Sequence, residues 1–282
     1  MEKKFDIIAL GEILLDFTTV GKSEQGNVIF EACPGGAVTN MLSMATRLGK
    51  KTAYIGKVGD DQFGAELREL LKDLDIDTSH LCIDPEYNTT LAFVHTFEGG
   101  EREFSFYRNP GADMMLSESE INPDFIKQTR DFHYGTLSMT HEGVRAATKK
   151  SLDTAAENGI MLSFDPNLRP SLWKSLDDAK EQIKFGLKYC DILKISDNEI
   201  QFVTGIEDYD EGIKQLIKES HIPLIFLTMG GAGSKAYYKG EVVEAHAAKC
   251  TPIENTGAGD SFCGSAVSYV LDYGLDNLTP EI

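Results

Sequence analysis

Short apolar runs alternate with longer amphipathic runs along the whole chain. Residues 5–11, FDIIALG, predict a buried strand ended by Gly11. Residues 39–49, TNMLSMATRLG, predict a helix with Met41, Met44, Ala45 and Leu48 on one face and Gly49 as its stop. TAYIGKVG at 52–59 reads as a strand, and FGAELRELLKDLD at 63–75 as a helix with Leu67, Leu70, Leu71 and Leu74 together. The rhythm continues through strand 131–138, helix 142–159, strand 160–167, a helix near 177–188, strand 190–196, helices near 197–204 and 209–219, and strand 223–230. Such alternation predicts a three-layer α/β/α fold, with a central, mostly parallel sheet and right-handed crossovers placing helices on both faces.

Two stretches break the rhythm. Residues 12–33 hold Thr18, Thr19, Val20, Val28 and Ile29 without a helical period. Residues 88–108 alternate as a hairpin, with Glu98, Gly99, Gly100 and Glu101 as its turn and Phe93, Phe97, Phe104 and Phe106 as an apolar face. Antiparallel strands inserted in an α/β frame predict a small β-sheet lid over a site, built from segments of about 12–33 and 88–112. No linker-like tract separates them from the rest, so the expectation is one domain over 1–282.

Charge narrows the function classes. The 282 residues carry 27 Lys and Arg against 45 Asp and Glu, a net charge of −18. Such a surface repels a nucleic-acid backbone and anionic lipid, so neither partner is expected. A small nucleotide remains possible, because a local site can override net charge. Asp6, Glu12 and Asp16 interrupt the apolar N-terminal stretch, which excludes a signal or spanning segment there. Five scattered cysteines without a C-x-x-C pair predict reduced thiols and a cytoplasmic protein. The six histidines have no metal-ligand spacing.

The strongest chemical signal is the run Asn255-Thr256-Gly257-Ala258-Gly259-Asp260-Ser261-Phe262 before an amphipathic stretch in which Phe262, Ala266, Val267, Val270 and Leu271 share a face. A glycine-rich turn that opens a helix presents unpaired N–H groups to an anion. Asp260 there could act as base for a hydroxyl attacking a phosphate, and the same spacing fits Asp260 or Ser261 as a simple cap. No Walker A loop is present. Gly231, Gly233 and Ala236 match a dinucleotide fingerprint on paper, but AYYKG follows as a strand where that motif needs a helix. A second cluster, Pro34-Gly35-Gly36-Ala37-Val38-Thr39-Asn40, opens the first helix; it is either a ligand-contacting turn or a tight turn with a cap. Asp16 lies past the carboxyl end of the first strand, where open sheets bind ligands and where a solvated acid is equally at home. Arg108 and Arg169 could each reach a polyol or a carboxylate, as could any solvated or ion-paired arginine. Glu199, after strand 190–196, could hold a metal through water or serve as a helix-start acid.

Together these residues resemble the ribokinase (PfkB) family of sugar kinases across essentially the whole chain. The likeness includes Gly11, Glu12, Leu14 and Asp16, the cluster 35–40, GKVGDDQFG at 56–64 and the N-T-G-A-G-D run at 255–260. FYRNPGADM and DPNLRPSLW look most like the fructokinase branch. The resemblance implies ATP-dependent phosphorylation of a primary sugar hydroxyl, with fructose first and 2-keto-3-deoxygluconate or ribose next. A non-catalytic sugar- or nucleotide-binding protein of the same fold is the rival of another class, and a phosphate-binding regulator a third. It implies Asp260 as catalytic base, with the N–H groups at Gly257, Ala258, Gly259 and Asp260 as the anion hole. Asp16, Gly35, Gly36 and Asn40 would hold the sugar, with Arg108 and Arg169 nearby. Lys194, Thr228, Gly230 and Gly233 would face the nucleotide, Glu199 would organise Mg²⁺ through water, and the lid would support a homodimer. Val38 stands where the family usually has proline, and Ser196 where it usually has asparagine. Glu254-Asn255 departs beside the monovalent-cation site of some members, which counts against potassium activation. Members normally continue beyond the point matching Ile282 with elements that complete the adenine pocket, so the expectation is either a truncated chain or an incomplete nucleotide site.

Overall fold

The computed structural model describes residues 3–96, 102–249 and 256–279. Its strands are β1 (Phe5–Leu10), β2 (Leu14–Lys22), β3 (Val28–Gly35), β4 (Thr52–Gly59), β5 (Asp77–Asp84), β6 (Leu91–Thr96), β7 (Arg102–Tyr107), β8 (Thr129–Gly135), β9 (Met161–Asp165), β10 (Ile192–Ser196), β11 (Leu224–Thr228), β12 (Ser234–Tyr238) and β13 (Glu241–Ala245). The helices are α1 (Ala37–Arg47), α2 (Gln62–Asp73), α3 (Pro123–Ile126), α4 (Glu142–Glu157), α5 (Leu176–Leu187), α6 (Asp197–Thr204), α7 (Tyr209–Ser220) and α8 (Ala258–Tyr273).

Nine strands form one sheet in the order β13-β12-β11-β10-β9-β8-β1-β4-β5. Every pair from β11 to β5 is parallel, and β12 and β13 add antiparallel at one edge. Both faces of the inner strands are buried, which is why their sequences read as continuous apolar runs. On one face Ile7, Ala9 and Ile192 pack with Met41, Leu67, Cys263 and Val267 of α1, α2 and α8. On the other, Ile8, Leu10, Phe132, Phe164 and Leu193 pack under α4 to α7. The order reverses at β1: the chain first builds toward β5, then returns to β8 and proceeds the other way. Such a reversal opens a crevice at the carboxyl ends of the strands.

A separate four-stranded sheet, β3-β2-β6-β7, rises from that end. Asp16 pairs with Cys33 and Ala92, and Ala92 with Phe106. Paired residues share a face, so Asp16, Cys33, Ala92, Val94, Phe104 and Phe106 lie on one side and Phe17, Phe93 and Tyr107 on the other. The expected single aromatic face of the hairpin is therefore corrected. Antiparallel register sets Phe93 opposite Ser105, while Phe104 and Phe106 point the other way. The turn expected at 98–101, with Phe97, lies outside the described residues.

The buried face of α1 is also rotated from expectation. Val38, Met41, Leu42 and Ala45 are buried, while Leu48 is 48% exposed as the C-cap. Strands β5 and β13 have no clear apolar signature because they are edges; all five residues of β13 are exposed. No helix among the described residues is long and apolar enough to cross a membrane.

Candidate active site at the carboxyl ends of the strands

Gly257, with φ 76° and ψ 0°, makes the left-handed turn that starts α8. The first helical bond runs from Ser261 N–H to the Gly257 carbonyl, 2.8 Å. Ahead of it, the N–H groups of Ala258, Gly259 and Asp260 have no acceptor within the helix and point outward. A Cβ on Gly259 would stand 3.0 Å from Lys194 Nζ, so the ammonium of β10 lies directly against this opening. Lys194 is buried and ion-paired to Asp165 Oδ2 at 3.1 Å. Despite burial, the Asp165 and Glu199 charges hold its pKa above the ordinary lysine range.

Asp260 sits in the first turn of α8 and accepts a 2.9 Å hydrogen bond from Asn40 Nδ2 in the first turn of α1. The two helices approach closely because residue 264 has no side chain: a Cβ there would stand 2.5 Å from the Met41 carbonyl oxygen. Burial raises the Asp260 pKa to about 6, with Asp165 adding to the rise and Asn40, Lys194 and Arg169 opposing it. Asp16 lies over Gly35, where any Cβ would collide with its Oδ2. Burial raises Asp16 to about 6 as well, against the pull of Arg169. Two carboxyl groups poised near neutrality in one cleft are the kind of perturbation that marks chemistry.

A cavity of about 450 Å³ opens beside Asp16 and Asn40, lined among others by Cys33, Gly35, Gly257 and Ser261. That is the size range of small-ligand sites. An adjoining groove of about 680 Å³ runs between β11–β13 and α8, lined by Phe226, Ala236, Val243, Phe262, Ala266 and Tyr269. Gly36 forms the turn into α1 at φ 122°, between Gly35 and Thr39, which line the cavity. Thr228 ends β11, and Gly230 and Gly233 close the tight turn into β12, with Met229 N–H donating to the Gly233 carbonyl. None of the three lines the groove; the nearest lining residues on either side are Phe226 and Ser234.

Two of the expected residues, Arg108 and Glu199, are held by groups of the fold, in line with the ion-paired and helix-start alternatives in their sequence reading. Arg108 is buried: Nε donates to Asp113 Oδ2 at 2.8 Å, Nη1 to Thr140 Oγ1 at 2.9 Å and Nη2 to the Leu137 carbonyl at 3.0 Å. An arginine after a hairpin looks the same in sequence whether it faces a ligand or a buried carboxylate, and here Asp113 claims it. Arg169 is exposed, and its charge bears on both Asp16 and Asp260. Glu199 is the third residue of a capping box: Oε2 accepts from Ser196 N–H at 2.9 Å and Oε1 from Leu168 N–H at 2.7 Å. Asp165 had no site role in the sequence reading, although an acid at the carboxyl end of a parallel strand was a usable signal. Among the described residues no group of three His, Cys, Asp or Glu side chains is arranged to hold a metal.

A family model described as pfkB family carbohydrate kinase matches residues 4–276. Probable fructokinase-6, chloroplastic, of Arabidopsis thaliana is 42% identical over 269 residues, covering 94% of this chain and 70% of that protein. A fructokinase from Xylella fastidiosa with bound ATP superposes with a TM-score of 0.86 at 27% identity, covering 95% of this chain and 81% of that one. A fructokinase from Vibrio cholerae O395, in a form with fructose, ADP and calcium ion bound, gives 0.85 at 30%, covering 95% and 84%. With the match spanning nearly its whole length, this chain belongs to the pfkB family of carbohydrate kinases.

Proposed function

We propose that this sugar kinase transfers the γ-phosphoryl group of ATP to the primary hydroxyl of fructose, giving fructose 6-phosphate. The observation that carries the reading is the placement of Asp260: one helix turn holds both the open N–H groups for an anion and a carboxyl whose pKa burial raises to about 6, bonded to Asn40 in the wall of the Asp16 cavity. In this reading the sugar lies between Asp16, Gly35 and Asn40, under the small sheet acting as a lid, with Arg169 at its edge. A closed lid excludes water and so suppresses ATP hydrolysis. The phosphates meet the N–H groups of residues 258–260 and Lys194, and the base extends past Thr228 and the 230–233 turn into the apolar groove on α8. Asp260 takes the proton of the attacking hydroxyl. Mg²⁺ bound with the nucleotide would offset charge developing on the transferred group, with Glu199 reaching it only through water. Glu254-Asn255, which bear on potassium, lie outside the described residues.

The burial of Arg108 favours fructose over 2-keto-3-deoxygluconate, because it leaves Arg169 alone to face a carboxylate. The reading also includes a homodimer through the lid, supported by exposed Val20, Val28, Ile29 and Tyr107, and a cytoplasmic location, supported by scattered cysteines without a C-x-x-C pair in the sequence. ADP release in a coupled assay with fructose, ribose and 2-keto-3-deoxygluconate tests the substrate. Asp260→Asn is expected to lower kcat at least ~10²-fold with little change in KM, the usual contribution of a general base. Full turnover by that variant would refute the role.

A further inference from the structure

The chain passes between the two sheets four times: at Glu12 before β2, at Ala37 after β3, at Thr90 before β6 and at Arg108 after β7. A buried polar cluster ties these passages together. Glu12 Oε1 accepts the Ala37 N–H at 2.8 Å. Thr90 Oγ1 donates to Asp113 Oδ1 at 2.6 Å, and Arg108 Nε to Asp113 Oδ2 at 2.8 Å. Glu12, Thr90, Arg108 and Asp113 are all buried. A Cβ on Gly36 would run into the Glu12 carbonyl oxygen, so the returning chain lies flat on the outgoing one.

Helix α1 supplies no cap of its own: Gly36 precedes it and its first turn has no acid. Glu12, 25 residues earlier in the chain, does this work, accepting the first N–H and setting a negative charge at the positive end of the helix dipole. The strand that leaves Glu12 carries Asp16. The helix that Glu12 caps carries Asn40, which holds Asp260. One carboxylate therefore joins the sugar side of the cavity to the base.

We infer that Glu12 is a positioning residue of the phosphoryl transfer: its carboxylate, by capping α1 from the root of β2, fixes Asp16 relative to the Asn40–Asp260 pair. The inference rests on the sugar-kinase reading of the site. Burial raises the Glu12 pKa to about 7, opposed by its backbone hydrogen bonds and the Arg108 charge, with Asp113 adding to the rise. The Glu12 charge in turn bears on Tyr54, on β4.

The test is steady-state kinetics of the full chain and two variants, with fructose and ATP varied separately. Glu12→Gln keeps the size and an acceptor but no charge, and Glu12→Asp keeps the charge but is one methylene too short. Each is expected to lower kcat/KM for the sugar about tenfold while KM for ATP stays within about twofold, as misplacement confined to one side predicts. Glu12→Gln should also move the acid limb of the sugar profile from near pH 7 toward the lower range where Asp16 and Asp260 titrate. Folded variants with unchanged sugar kinetics, or with equal losses for sugar and ATP, would overturn the inference. If neither variant folds, fructose binding to the wild type by calorimetry between roughly pH 6.5 and 8.5 decides: weakening on acidification supports the role, and a flat response overturns it. A wild type that phosphorylates no sugar would sink the kinase reading and this inference with it. An active wild type with indifferent variants sinks this inference alone.

Discussion

Gly264→Ala is a sharp test of how α8 is set. The added Cβ would stand 2.5 Å from the Met41 carbonyl oxygen and 3.1 Å from Met44 Cβ, whereas ordinary contact begins near 3.4 Å. The first neighbour is backbone of α1, so no rotamer can relieve it, and the helices must part by about 0.9 Å at that point. Asp260 lies one turn up α8 and Asn40 is next to Met41. The same separation stretches their 2.9 Å hydrogen bond to about 3.8 Å, beyond bonding distance. Overpacking of this size costs about 1–3 kcal/mol, and replacing a mid-helix glycine by alanine returns up to about 1 kcal/mol, so the net change in stability is modest. The effect on rate is larger, because a misplacement near 1 Å can cost ~10²-fold. Thermal melts and kcat measured together are the assay. A variant with unchanged melting temperature and kcat within about twofold of wild type would show that the close approach of α1 and α8 does not set the base.

The two arginines beside the site should separate cleanly. Arg108→Ala breaks a buried ion pair with Asp113 and is expected to destabilise the fold by about 3–5 kcal/mol in denaturant melts. Arg169→Ala, at an exposed position, should leave stability unchanged and raise KM for the sugar. Asp131 is buried under α8, with Ser163 donating to Oδ2 at 2.7 Å and Oδ1 without a partner. Burial raises its pKa to about 8. A folded-state acid with a raised pKa holds its proton where the unfolded chain has lost it, so stability falls as pH rises between the two values and levels off above the folded one. Asp131→Asn should therefore flatten the stability curve by up to about 1.4 kcal/mol per pH unit between roughly pH 4 and 8, and an unchanged slope in urea melts would refute the assignment.

The limits of sequence reading are physical ones. Parallel strands buried on both faces announce themselves as apolar runs, so the central sheet was legible from residues 5–11, 52–59, 190–196 and 223–230. The edge strands 77–84 and 241–245 were not, because one-sided or absent burial leaves no such pattern. The glycine turn at 257–260 was legible because a local chain conformation makes it: glycines and a helix start are sequential features. The alternation at 88–108 identified a hairpin, but the β6–β7 register set Phe93 against Phe104 and Phe106, and pairing with the distant β2 decided which face shares Asp16.

What the sequence determined by itself was therefore local: element type, the glycine turn, and the acid beside it. The tertiary structure decided everything that depends on pairs remote in the chain. It joined Asn40 to Asp260 across 220 residues and set Lys194 against Gly259. It drew Arg108 inward to Asp113 and made Glu12 the cap of a helix that begins 25 residues later. A side chain's chemistry is fixed by its type, but its protonation and its partners are fixed by burial and by which charges packing brings within a few ångströms.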